Sequence, residues 1–232
     1  MIDVAGPVAM VQNALTAAAD PVKAAGMRAY MKTEMPFYGV QKEGRALILR
    51  RLRHEFAPTD RDEYEALVLA LWELPHREEK YLAQGVAVAF PDYIVPASFP
   101  VYDRFVVEGA WWDFVDETAT HLIRHLILEW GEKTWPVIDR WNQDDDMWRR
   151  RSSLICQVGA RERTDADRLF RYCLARVHET EFFIRKAIGW ALRDYAYTDP
   201  EAVAGFVSMH RKRLSSLSFR EATKHIGHLV GS

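Results

Sequence analysis

The chain has 232 residues, 49% of them hydrophobic and 28% charged, with a formal net charge of −2 at pH 7. That length suits one large domain or two small ones and allows a substantial core, and the composition is that of an ordinary globular protein. A slightly acidic balance gives no bulk attraction to nucleic acid, so any such binding would need a local basic face.

Helical periodicity runs through almost the whole sequence, and no segment carries a hairpin signal. Residues 64–72, with Ala66, Leu67, Leu69, Ala70 and Leu71, form the first clear stripe. It follows a break at Pro58-Thr59-Asp60, where Thr59 or Asp60 is placed to cap the helix. Further breaks are predicted at Leu74-Pro75-His76 and Phe90-Pro91-Asp92. Residues 93–102 are apolar, short and proline-flanked, and are predicted to be an extended connector. Residues 118–130 carry Leu122, Ile123, Leu126, Ile127 and Trp130 at helical spacing. Breaks at Trp135-Pro136 and Asp199-Pro200 flank further helical stretches at 166–177 and 182–196.

A weak repeat overlays Val115-Asp116, Arg150-Arg151, Arg185-Lys186 and Arg220-Glu221 at intervals of 35 positions, with Trp148 over Phe183. A fixed interval of this size, filled with helix pairs, is the mark of an α-helical solenoid. The predicted fold class is therefore all-α, a single solenoid domain over 1–232. Stacked repeats would set Asp116, Arg151 and Lys186 along one ridge. Such a ridge either tracks a phosphate backbone or forms salt-bridged, solvated helix faces.

Two cysteines, Cys156 and Cys173, are too few for a disulfide framework and lack metal-ligand spacing. No signal-peptide pattern opens the chain, and no apolar run approaches the roughly 20 residues of a bilayer span. A cytoplasmic protein with no membrane association is expected. Nucleotide-binding loops and the H-E-x-x-H zinc motif are absent. His121 and His125 are four apart, but nothing nearby completes a metal site.

Trp112 and Asp116 are also four apart, so on a helix they share a face. Most Trp-x-x-x-Asp spacings are a core ring beside a surface or capping Asp. An aromatic face next to a carboxylate is also suited to stabilising a cation that develops beside it. Trp111 and Val115 lie on the adjacent face and can pack inward. Gly189, inside a strong helical pattern, points to a close packing contact or to room needed by a neighbour. Trp190 and Arg193 pair an aromatic with a cation three residues apart. The run Trp148-Arg149-Arg150-Arg151 gathers three guanidinium groups that can clamp phosphate. Asp144-Asp145-Asp146 just before it can instead cap that helix and pair with them.

In these residues the chain resembles the AlkD family of DNA alkylation-repair glycosylases, built from tandem HEAT-like repeats. The resemblance covers most of the chain. It is carried by Arg28-Ala29-Tyr30-Met31-Lys32, Phe37-Tyr38-Gly39-Val40-Gln41, Leu71-Trp72-Glu73-Leu74-Pro75 and Trp111-Trp112-Asp113-Phe114-Val115-Asp116. Downstream it continues in Trp148-Arg149-Arg150-Arg151, Phe182 to Trp190, and Arg220-Glu221-Ala222.

The resemblance implies a concave DNA-binding face and a DNA glycosylase that removes positively charged N3- and N7-alkylated purines from duplex DNA. It implies no pocket for a flipped base, no cofactor and action as a monomer. Asp116 is implied as the catalytic carboxylate, with Trp112 and Trp190 lining the lesion's deoxyribose and Arg151 holding the backbone beside it. Tyr30, Gln41, Arg150, Arg185, Lys186 and Arg193 are the expected DNA contacts. Two departures stand out: Glu108-Gly109 before the tryptophan pair, where more basic character is expected, and Phe219, where a Lys often precedes the Arg-Glu-Ala segment. A helical-repeat protein that binds damaged or branched DNA without catalysis is the alternative reading.

Overall fold

A computed structural model describes residues 3–230. Among them the secondary structure is helical, with no strand. Contacts divide the chain into two compact units, Met1–Ile94 and Val95–Ser232.

The first unit holds α1 (Ala5–Ala17), α2 (Pro21–Met31), α3 (Lys42–Glu55), α4 (Arg61–Trp72) and α5 (Arg77–Ala89). Its helix starts follow from local chemistry. The Asp20 carboxylate accepts the amides of Val22 and Lys23. Asp60, rather than Thr59, caps α4 through the Glu63 amide, while Thr59 binds the Glu63 carboxylate. Each such cap stabilises a helix by about 1 kcal/mol. Tyr64, Leu67, Val68, Leu71 and Trp72 are buried on the inner stripe of α4. The Phe37–Gln41 segment is an irregular stretch before α3. It is fixed by the wholly buried carboxylate of Glu78, which accepts the amides of Tyr38, Gly39 and Val40. Glu79 accepts the Tyr38 hydroxyl, and the Tyr38 ring stacks on His76 at 3.9 Å.

The second unit is a row of helix pairs. Its outer helices are α6 (Phe99–Val107), α9 (Gly131–Trp141), α11 (Ala166–Arg176) and α13 (Pro200–Met209). Its ridge helices are α7 (Trp112–Glu117), α10 (Met147–Ile155), α12 (Phe182–Tyr195) and α14 (Ser216–Ala222). α7 runs on through a π-helical segment, Thr118–Ile123, into α8 (Arg124–Glu129). The ridge helices open at Trp112, Met147, Phe182 and Ser216, intervals of 35, 35 and 34 residues. Each packs on the next, α7 on α10, α10 on α12 and α12 on α14. The repeat is therefore structural, and the chain is an all-helical solenoid in this unit. Asp146, Asp165, Asp199 and Ser215 cap α10, α11, α13 and α14 with their own side chains, whereas α12 begins without one.

Three sequence expectations are corrected. Residues 93–102 are not an extended connector: turns of 3₁₀ helix occupy Pro91–Tyr93 and Pro96–Ser98, and α6 has begun by Phe99, with Pro100 in its first turn. Proline is tolerated there because first-turn amides have no helical partner. Pro136 breaks nothing and lies inside α9. A mid-helix proline costs about 3 kcal/mol, and burial of Ile138 and Trp141 beyond it, with Trp141 against Phe99 at 5.0 Å, offsets that cost. The helix over 118–130 is π-wound for its first six residues rather than uniformly α. No helix of the described residues is long and apolar enough to cross a membrane.

Candidate functional site

Asp116 lies at the fifth position of α7, one turn beyond Trp112 and just before the π-helical segment. Its carbonyl accepts the Thr120 hydroxyl at 2.7 Å. Single-turn π segments gather at functional sites because they re-aim the side chains around them. Before α7 the backbone turns sharply. Ala110 has φ of +40°, and a Cβ on Gly109 would lie 2.9 Å from the Phe114 Cβ. The close approach of α6 and α7 thus accounts for glycine in Glu108-Gly109, and Glu108 itself pairs with Arg104.

Thirty-five residues on, Arg151 of α10 reaches back to Asp116. Its Nε and Nη2 donate to the two carboxylate oxygens at 2.8 Å each. A third bond runs from Nη1 to the Phe183 carbonyl at 2.6 Å. The pair is well shielded: the Arg151 side chain is 4% exposed and that of Asp116 18%. Burial pushes the Asp116 carboxyl above its ordinary range against the pull of the Arg151 guanidinium, and the charge of Asp113 adds to the rise.

An aromatic wall stands beside this pair. The Trp148 and Phe183 rings are 4.9 Å apart, as their register predicts. Trp111 packs against both, at 6.1 and 5.5 Å. The Arg151 guanidinium lies 5.7 Å from the Phe183 ring centre. Val115 is fully buried and Trp111 half-buried, so the face next to Asp116 does pack inward. Trp112 and Trp190 are each half-buried. Trp190 lies on α12, one turn beyond Lys186, the residue in register with Asp116 and Arg151.

The expected DNA contacts fall into two groups. In the first unit, Tyr30 on α2 is 74% exposed, and Gln41 is exposed at the start of α3, where its side chain makes no cap. In the second unit Arg150, Lys186 and Arg193 are engaged by acids. Arg150 pairs with Glu179 and also binds the carbonyls of Asp144 and Asp145. Arg149 makes a two-point pair with Asp103. Asp146 of the acidic run caps α10. Lys186 donates to Glu221 at 2.5 Å, and Arg193 pairs with the other Glu221 oxygen. Arg185 is half-buried, and its Nε has no acceptor among the described residues. Both cysteines are buried, and burial pushes the Cys156 thiol up to about 12.

The model of the DNA alkylation repair enzyme family matches residues 11–226. The chain belongs to that family. A solved structure named as a predicted DNA alkylation repair enzyme from Enterococcus faecalis is similar to this repair protein, at 28% identity and a TM-score of 0.81. The match covers 90% of the present chain and 96% of the other. No curated protein matches. Three participants in the site do not stand out from sequence: Phe183 as the acceptor for Arg151, Glu179 and Glu221. The 35-residue register does contain a signal for the last, since it puts Glu221 under Lys186.

Proposed function

We propose that this repair protein is a DNA glycosylase that hydrolyses the bond between deoxyribose and a positively charged N3- or N7-alkylated purine in duplex DNA. The observation that carries the reading is the shielded Asp116 carboxylate, fixed at both oxygens by Arg151, in a chain of the alkylation repair family.

The chemistry follows from the substrate. A cationic alkylpurine leaves with the electron pair of its glycosidic bond and becomes neutral, and the sugar becomes an oxocarbenium ion. Water then adds at the sugar carbon, and its proton passes through the carboxylate to solvent. A unit negative charge about 4 Å from such a cation lowers its energy by about 4 kcal/mol at an effective dielectric constant of 20, about a thousandfold in rate. Arg151 offsets part of that field while it fixes the plane of the carboxylate. Trp112, one turn before Asp116, and Trp190 add aromatic faces to the sugar.

Three of the five Arg151 N–H groups are used on Asp116 and Phe183. With its side chain only 4% exposed, Arg151 serves first to hold the Asp116 carboxylate. Within the second unit, Arg150, Arg185, Lys186 and Arg193 are the further DNA contacts of this reading; Tyr30 and Gln41 are those of the first unit, each exposed there. Excision without a base-holding pocket, by a protein working as a monomer, completes the proposal.

The test is release of 7-methylguanine from methylated duplex by the purified protein. Wild type releases it. Asp116→Asn keeps duplex affinity and loses release. Unchanged release by Asp116→Asn overturns the role of Asp116. Duplex binding by wild type with no base release favours the non-catalytic reading instead.

A further inference from the structure

Glu221 sits where the ridge helices α12 and α14 cross. Its carboxylate joins two cations of α12, one oxygen to Lys186 and the other to Arg193. Those cations lie on either side of Trp190, four residues before it and three after, on one helical face. Gly189 opens the notch that admits Glu221. A Cβ there would collide with the Glu221 Cβ and would lie 2.9 Å from the Ser218 carbonyl oxygen. Ser218 secures the same crossing by donating to the Arg185 carbonyl at 2.8 Å. Lys186 holds the Glu221 carboxyl below its ordinary range, so the acid is an anion at neutral pH.

The charge balance of this cluster is informative. Two cations share one anion, so the group keeps one net positive charge. Lys186 commits one of its three N–H donors to Glu221, and Arg193 one of its five. Both keep donors for phosphate while their long, rotamer-rich side chains are already ordered.

We propose that Glu221 is a positioning residue for the excision reaction: it holds Lys186 and Arg193 flanking Trp190 in the geometry that addresses the DNA backbone next to the lesion. This rests on the glycosylase reading given above. Glu221 touches neither the sugar nor the base, and it acts through the two cations.

The test compares wild type with Glu221→Gln, which keeps the side-chain volume and removes the charge. Single-turnover release of 7-methylguanine is measured at saturating protein, and affinity for undamaged duplex is measured across a salt series. The expected result is a split. Saturating release slows on the order of tenfold because the flanking cations lose their fixed geometry. Affinity for undamaged duplex does not fall, and its salt dependence steepens by up to about 0.9 in log–log slope as a freed cation engages phosphate. A merely structural role would lower release and affinity together with thermal stability.

Unchanged release, or release and affinity falling in parallel, overturns the proposal. If wild type releases no base, the glycosylase reading fails on its own, and an unchanged salt slope in Glu221→Gln then overturns the clamp as well.

Discussion

Arg151→Ala tests whether the Asp116–Arg151 pair is held as tightly as its geometry implies. The substitution leaves a carboxylate with 18% side-chain exposure and no countercharge. It also removes the side-chain donor that Arg151 supplies to the Phe183 carbonyl. Breaking a buried pair by removing one partner costs about 3–5 kcal/mol, a large share of the 5–15 kcal/mol by which domains of this kind are stable. Urea unfolding at pH 7 measures the loss.

The double variant Asp116→Ala/Arg151→Ala separates the causes. It removes the stranded charge as well, and should regain about 2 kcal/mol relative to Arg151→Ala. The pH dependence has a definite sign. Burial already raises the Asp116 carboxyl and only Arg151 pulls it down. Without Arg151 its folded value stands further above its unfolded value. A raised carboxyl contributes stability at low pH that is lost as pH rises through the folded value. The penalty of Arg151→Ala should therefore shrink at pH 4. Base release, which needs the carboxylate, should in turn fail at a higher pH than in wild type. A double variant as unstable as Arg151→Ala, with no pH dependence in the penalty, would refute the reasoning and leave lost packing as the cause.

Gly189→Ala should destabilise by about 1–3 kcal/mol in urea unfolding, because the new methyl meets the Ser218 backbone and the Glu221 stem rather than a flexible side-chain end. Full stability would mean that α12 and α14 separate at little cost. Glu78→Gln should cost about 2 kcal/mol, since one oxygen that accepts an amide becomes a donor facing the Tyr38 N–H. Faster hydrogen exchange at Tyr38, Gly39 and Val40 checks it, and unchanged exchange there would remove Glu78 as the anchor of the segment.

The helices and their order are legible in the sequence because apolar spacing and capping residues are local properties. The interval of 35 is legible too, as each ridge helix must present the same face to its neighbours. That is why Asp116, Arg151, Lys186 and Glu221 fall into register on their spacing alone. The register does not say which of them bind one another. By spacing, the ridge cations suit phosphate contacts and internal ion pairs equally.

Packing distance and helix stagger decide that, down to the ångström. Arg151 reaches both oxygens of Asp116, whereas Lys186 turns to Glu221 on the other side. Pro136 and the π-helical segment are hidden from a sequence reading for a related reason, because tertiary burial outweighs a local backbone preference. The sequence thus determined which residues share the ridge. The tertiary structure decided that Asp116 is a shielded, doubly held carboxylate, since a two-point bond depends on the distance between helices about 10 Å apart and not on periodicity.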